Sequence, residues 1–100
     1  MAVPLPQSIP AIGRAAHELL TEASKDRQGV VMSLQTMEGS SVQTNGRNFA
    51  ERENSRSEAQ WRGAVAELDK LRLIEDRAGK GEIYFVTDEG YRMADLLKQQ

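Results

Sequence analysis

The chain has 100 residues, 39% hydrophobic and 28% charged, with a formal net charge of −2 and no cysteine. A chain of this size suits one compact domain burying roughly 60–65% of its unfolded surface, so its stability is modest and a partner chain would add to it. The missing cysteines exclude disulfides, thiolate metal sites and cysteine nucleophiles together, and the weakly acidic balance disfavours a uniformly basic nucleic-acid binder, so any phosphate contact needs a local patch.

Residues 1–7 hold Pro4 and Pro6 and show no hydrophobic periodicity. They read as an extended arm before a single domain over residues 8–100. No charged segment leads into a long apolar run, so no signal peptide is expected. No stretch approaches the roughly 20 apolar residues of a membrane span, and a cytoplasmic protein is the expectation. Ser8 is an N-cap candidate, with Pro10 tolerated in the first turn. Ile9, Ile12, Ala16, Leu19, Leu20 and Ala23 then recur at helical spacing and predict a helix over residues 9–24. The polar run Lys25-Asp26-Arg27-Gln28-Gly29 ends it.

Val30 to Thr36 predicts a strand, β-branched at its start, with Val30, Met32 and Leu34 on one face. Glu38-Gly39-Ser40 is a turn, Ser41 to Thr44 a short returning strand, and Asn45-Gly46 a strong turn dipeptide. Residues 46–54 are polar, anchored by Phe49 and Ala50, with room for at most a short helical turn. Ser55 and Glu58 have capping-box spacing. Trp61, Ala64, Val65, Leu68 and Leu71 form the apolar stripe of the strongest helix, about residues 56–72. Leu73 and Ile74 open a second strand, Ala78-Gly79-Lys80-Gly81 turns it, and Glu82 to Val86 returns. Thr87 caps a last helix carrying Tyr91, Met93, Ala94, Leu96 and Leu97.

Leu71-Arg72-Leu73-Ile74, a charged hairpin, then Tyr84-Phe85-Val86-Thr87-Asp88-Glu89-Gly90 resembles the winged-helix regulators of bacteria, over roughly residues 55–97. The resemblance implies an α+β winged helix: a three-helix core with a small antiparallel sheet forming the wing. In that order Thr87 caps the final helix and Gly90 lets it pack closely on the wing. The N-terminal half departs from the pattern. Residues 49–54 leave little room for a full second helix, and the hairpin over residues 30–44 takes more chain than the usual single strand. The resemblance is therefore to a variant with a shortened second helix.

It implies a small DNA-binding, transcription-regulator-type module without cofactor, dimeric through its terminal helices. Candidate contacts to double-stranded DNA are Arg47, Arg52 and Arg56 around the second turn of chain, Gln60 and Arg62 on the long helix, and Arg77 and Lys80 on the wing. Guanidinium forks grip phosphate, and a glutamine reads adenine. Glu58, Glu67 and Asp69 on the same helix repel phosphate. The alternative is a protein-interaction or assembly module of a larger bacterial system that kept the scaffold without DNA contact. Its candidate interface is Phe85, turned outward if Tyr84 and Val86 face the core, with Tyr91, Leu96 and Leu97; the partner is a second copy or another protein. DNA binding requires the arginines to converge on one surface. Association expects them scattered or paired with carboxylates, beside an apolar patch. His17 is the sole histidine and no nucleophile elbow or phosphate loop is present, so neither an enzyme, a metal nor a cofactor is expected.

Overall fold

The computed structural model describes residues 12–37, 39–51 and 53–98. It is an α+β fold with the order α1 (Arg14–Lys25), β1 (Val30–Thr36), β2 (Gly39–Thr44), β3 (Arg47–Asn48), α2 (Ser55–Lys70), β4 (Ile74–Glu75), β5 (Ile83–Val86) and α3 (Asp88–Lys98). The strands form one antiparallel sheet in the order β3-β2-β1-β5-β4. The three helices cover one face of it, with α1 packed between α2 and α3. Among the described residues no helix is long and apolar enough to cross a membrane.

Helix α1 buries Ala16, Leu19, Leu20 and Ala23 as the periodicity predicts, but it starts later than expected, because Gly13 is extended and leaves Ile12 outside the helix. Its described start is Arg14, with Gly13 as N-cap; the expected arm, the Ser8 cap, Ile9 and Pro10 lie outside the described residues. Gly13 has no capping side chain of its own. Its N–H donates instead to Glu67 Oε2 of α2 at 2.9 Å, which ties the two helices together. After α1, the Asp26 carboxylate accepts from the N–H groups of Gln28 and Val30 and turns the chain into β1.

Thr44 pairs with Arg47 across Asn45 and Gly46, both at positive φ (52° and 76°), as a two-residue hairpin of the primed type needs. The predicted two-strand hairpin thus has a third strand, β3, where a polar loop was expected. No helix forms among the described residues between β3 and α2. Phe49 and Ala50 anchor this stretch as expected, both buried.

The cap of α2 is one residue earlier than the capping-box spacing suggests. Asn54 Oδ1 accepts from Ser57 N at 3.0 Å, and Ser57 Oγ accepts from Glu51 N at 2.9 Å. Glu58 does not reach back to the cap; its carboxylate accepts from Ser40 N at 3.1 Å and so holds β2. Ala64, Val65 and Leu68 are buried as predicted. Two members of the predicted stripe are not: Leu71 is 36% exposed at the helix end, and Trp61 is half-buried at the core margin, tilted against Phe49 with ring centroids 4.8 Å apart.

The helix ends without glycine. Arg72 takes positive φ (63°) while Leu73 N–H donates to Leu68 O at 2.9 Å and Arg72 N–H to Asp69 O at 3.0 Å. This is the double bond of a left-handed helix stop, where glycine is the preferred residue. A side chain costs of order 1 kcal/mol in that conformation. Arg72→Gly is expected to raise stability by about 0.5–1 kcal/mol and the melting temperature by roughly 4 °C, read by thermal denaturation.

Thr87 caps α3 as the motif implies: its Oγ1 accepts from Gly90 N at 3.0 Å and donates to Arg72 O at 2.7 Å. The β4–β5 hairpin, the expected wing, turns at Gly79 and Gly81, both at positive φ, and Asp76 holds the tip by accepting from both of their N–H groups.

Candidate interaction surfaces

The positive candidates fall on separate surfaces. Arg47 lies on β3 and Arg77 just beyond β4, the two opposite edges of the sheet. Four strand spacings separate those edges, roughly 19 Å. Each guanidinium is already engaged. Arg47 is 3.8 Å from Glu22 and lies over the Phe49 ring at 4.4 Å. Arg77 pairs with Glu75 at 3.0 Å and lies over the Phe85 ring at 4.4 Å. Lys80 stands exposed at the wing tip, beside Ser33 and Gln35 at the end of β1. Arg52 lies outside the described residues.

Arg56, Gln60 and Arg62 are exposed on α2. Among the described residues neither Arg56 nor Arg62 makes an ion pair. They do not share one strip. At 3.6 residues per turn Arg62 is rotated about 120° from Arg56 and about 160° from Gln60. The pole of the helix, opposite Leu68, carries Ala59, Gly63, Ala66 and, at its last residue, Lys70, all exposed. Arg62 shares its flank with Glu58 and Asp69. A groove-reading helix needs hydrogen-bonding side chains at its pole to address base edges. Here the pole offers two methyl groups, a glycine whose Cβ position is open space and one lysine at the helix end.

The candidate partner residues also divide. Leu97 is 8% exposed and belongs to the core cluster, so it is not available to a partner. Leu96 is half-buried, and Tyr91, 38% exposed, leans its hydroxyl over Gly29. Phe85 does turn outward, as alternation requires, while Val86 is buried and Tyr84 packs against the core. Burial pushes the Tyr84 phenol above its ordinary value, and the charges of Asp69 and Asp76 add to the rise.

Phe85 has neighbours that sequence spacing could not identify. Val30 pairs with Phe85 and Met32 with Ile83, so these four residues and Leu34 stand together on the sheet face away from the helices. Alternation places Val31 and Ser33 on the helix side. Val31 is fully buried, whereas Val30, Met32, Leu34 and Phe85 stay half-buried and Ile83 is 41% exposed. Strand β1 therefore turns its more apolar face outward. Beyond this strip lie the uncharged Ser41, Gln43 and Asn48 on one side and the Glu75–Arg77 pair on the other.

A depression of about 630 Å³ lies between the β4–β5 hairpin and the start of α3 and is lined by Asp69, Arg72, Glu75, Arg77, Asp88 and Glu89 among others. It is open and holds no histidine or hydroxyl nucleophile paired with a base. Among the described residues no cluster of His, Asp and Glu could hold a metal ion. His17 is half-buried on α1, beside Thr21, whose Oγ1 is buried without a partner. No protein-family model matches the chain, and no curated protein or solved structure matches it.

Proposed function

We propose that this chain is a protein-association module built on a winged-helix-type scaffold. Support for the scaffold comes from sheet order. Strand β5 lies between β1 and β4, α2 feeds β4, and α3 leaves β5 through Thr87. This is the order that the C-terminal motif implies, with β2 and β3 standing where a second helix would run. The observation that carries the association reading is the outward apolar strip of β1 and β5. An aromatic, a methionine and branched aliphatics at its centre, with charge confined to the margins (Glu75 and Arg77 on one side, Asp26 at the Val30 end), is the composition of a protein interface core. The pairing of Arg47 and Arg77 on opposite sheet edges and the net charge of −2 agree with it.

DNA binding is the second reading, favoured by the exposed Arg56 and Gln60 on α2 and Lys80 on the wing. One pair of measurements separates the two. The first is titration of a labelled random duplex at low ionic strength, where charge-driven binding is strongest. The second is quantitative recovery of partners from the native cell extract with the wild-type chain, Ile83→Glu and Arg62→Glu. Association expects no salt-dependent duplex affinity and a nuclease-resistant partner lost with Ile83→Glu but kept with Arg62→Glu. Duplex binding that weakens steeply with salt and is lost with Arg62→Glu overturns it in favour of DNA.

A further inference from the structure

We infer that the outer face of β1 and β5 seats one amphipathic helix of a partner protein, about three turns long, apolar on one side and uncharged along its flanks. The inference rests on the association reading and adds the form of the partner.

The dimensions of the strip select the occupant. Val30, Met32 and Leu34 span four residue steps along β1, roughly 13 Å, and Phe85 and Ile83 lie one strand over, roughly 5 Å away. Such a strip matches a helix about 10 Å across, whose rise of 1.5 Å per residue covers that length in about nine residues. It does not match a second copy of the chain. A stable dimer needs about 800 Å² from each partner. The apolar part of this face is two strands wide, and the neighbouring β2 and β3 add only the polar Ser41, Gln43 and Asn48 to it, which is not the broad apolar surface of an obligate dimer.

Charge at the rim points the same way. Arg77 is held by Glu75 and by the Phe85 ring, and the Asp26 carboxylate at the Val30 end is engaged by the N–H groups of Gln28 and Val30, so the strip offers little charge free to pair with a partner. A partner helix with charged flanks would lose hydration there and gain no counter-ion. Uncharged flanks can bond to Ser41, Gln43 and Asn48. An extended peptide fits less well, because strand addition needs a free sheet edge. The edges here are the two-residue strands β3 and β4, and β1 and β5 are both paired on either side.

The test uses a displayed library of random peptides of about fifteen residues, enough for three turns and their ends. It is selected against the full chain and counter-screened against Ile83→Glu and Met32→Glu. Enriched clones are expected to carry apolar residues at i, i+3 or i+4, and i+7, and to gain helical circular dichroism on binding. They should lose at least about tenfold in affinity for both variants. Thermal melts check that the variants fold; if Met32→Glu does not, the more exposed Ile83 carries the comparison. Three results overturn the helical occupant while leaving association intact: clones alternating at period two, a dimer in sedimentation that Ile83→Glu dissociates, or nuclear Overhauser contacts from residues 1–11 to the Phe85 ring. A library yielding no clone that depends on these residues overturns the occupant and the association reading together.

Discussion

Gly90→Ala is expected to destabilise the domain by about 3 kcal/mol, although alanine is the better helix former by about 1 kcal/mol. Gly90 lies in the first turn of α3, buried against the end of α2 and the last residue of β5. A Cβ there would stand 2.1 Å from the Leu73 carbonyl oxygen and 2.8 Å from a Val86 methyl. The carbonyl is not free to withdraw, because it accepts Thr87 N–H at 3.0 Å. Relief therefore requires α3 to move off the wing, undoing the Thr87 cap at the same time. Overpacking of backbone by a whole methyl belongs at the upper end of the usual 1–3 kcal/mol or above it. Gly63→Ala is the internal control: the same change on α2, with nothing within 4 Å of the added Cβ, follows helix propensity and is neutral to stabilising. For a domain of this size the Gly90 variant should melt roughly 12–24 °C lower. A melting temperature at or above wild type would mean that α3 does not sit against the wing in this way.

Much of this was legible in the sequence where the signal is local. The 3–4 residue recurrence of Ala16, Leu19, Leu20 and Ala23, the Asn45-Gly46 and Gly79–Gly81 turns, and the Thr87–Gly90 pair each decide structure within a few residues. The misreadings concern partners far along the chain. Asn54 displaced Ser55 as cap because Glu58, needed for the capping box, is drawn away to Ser40, eighteen positions upstream. Arg47 looked available for phosphate until folding brought Glu22 of α1 beside it. Period two states which residues of β1 share a face, but not which face is covered. Alternation alone leaves open whether the Val30, Met32 and Leu34 side or the Val31 and Ser33 side is covered. Pairing with Val42 and Thr44, both buried, places Val31 and Ser33 under the helices. The functional surface followed from that register, which no single segment encodes.

Leu68→Ala is expected to cost about 3 kcal/mol, within the range of 2–5 seen for buried leucines, most of it the lost transfer of roughly three buried carbons and the rest the cavity left behind. Leu68 is 0% exposed in the core cluster that joins α1, α2, α3 and the sheet. It has a second role at the helix stop, where its carbonyl accepts Leu73 N–H and both side chains enter the same core. A void there loosens the contact that accompanies the left-handed stop and directs the chain into the wing. Leu68→Met keeps most of the volume and should cost less than about 1.5 kcal/mol, which separates cavity from surface effects in urea titration. The measurement also bears on function, because one rotation of α2 decides both its buried and its outward residues. If Leu68 is the buried pole, Ala59, Gly63, Ala66 and Lys70 must face solvent, and among them only the terminal lysine can address a base or phosphate. A Leu68→Ala cost below about 1 kcal/mol would mean a different rotation, would turn other side chains outward, and would restore the DNA reading to first place.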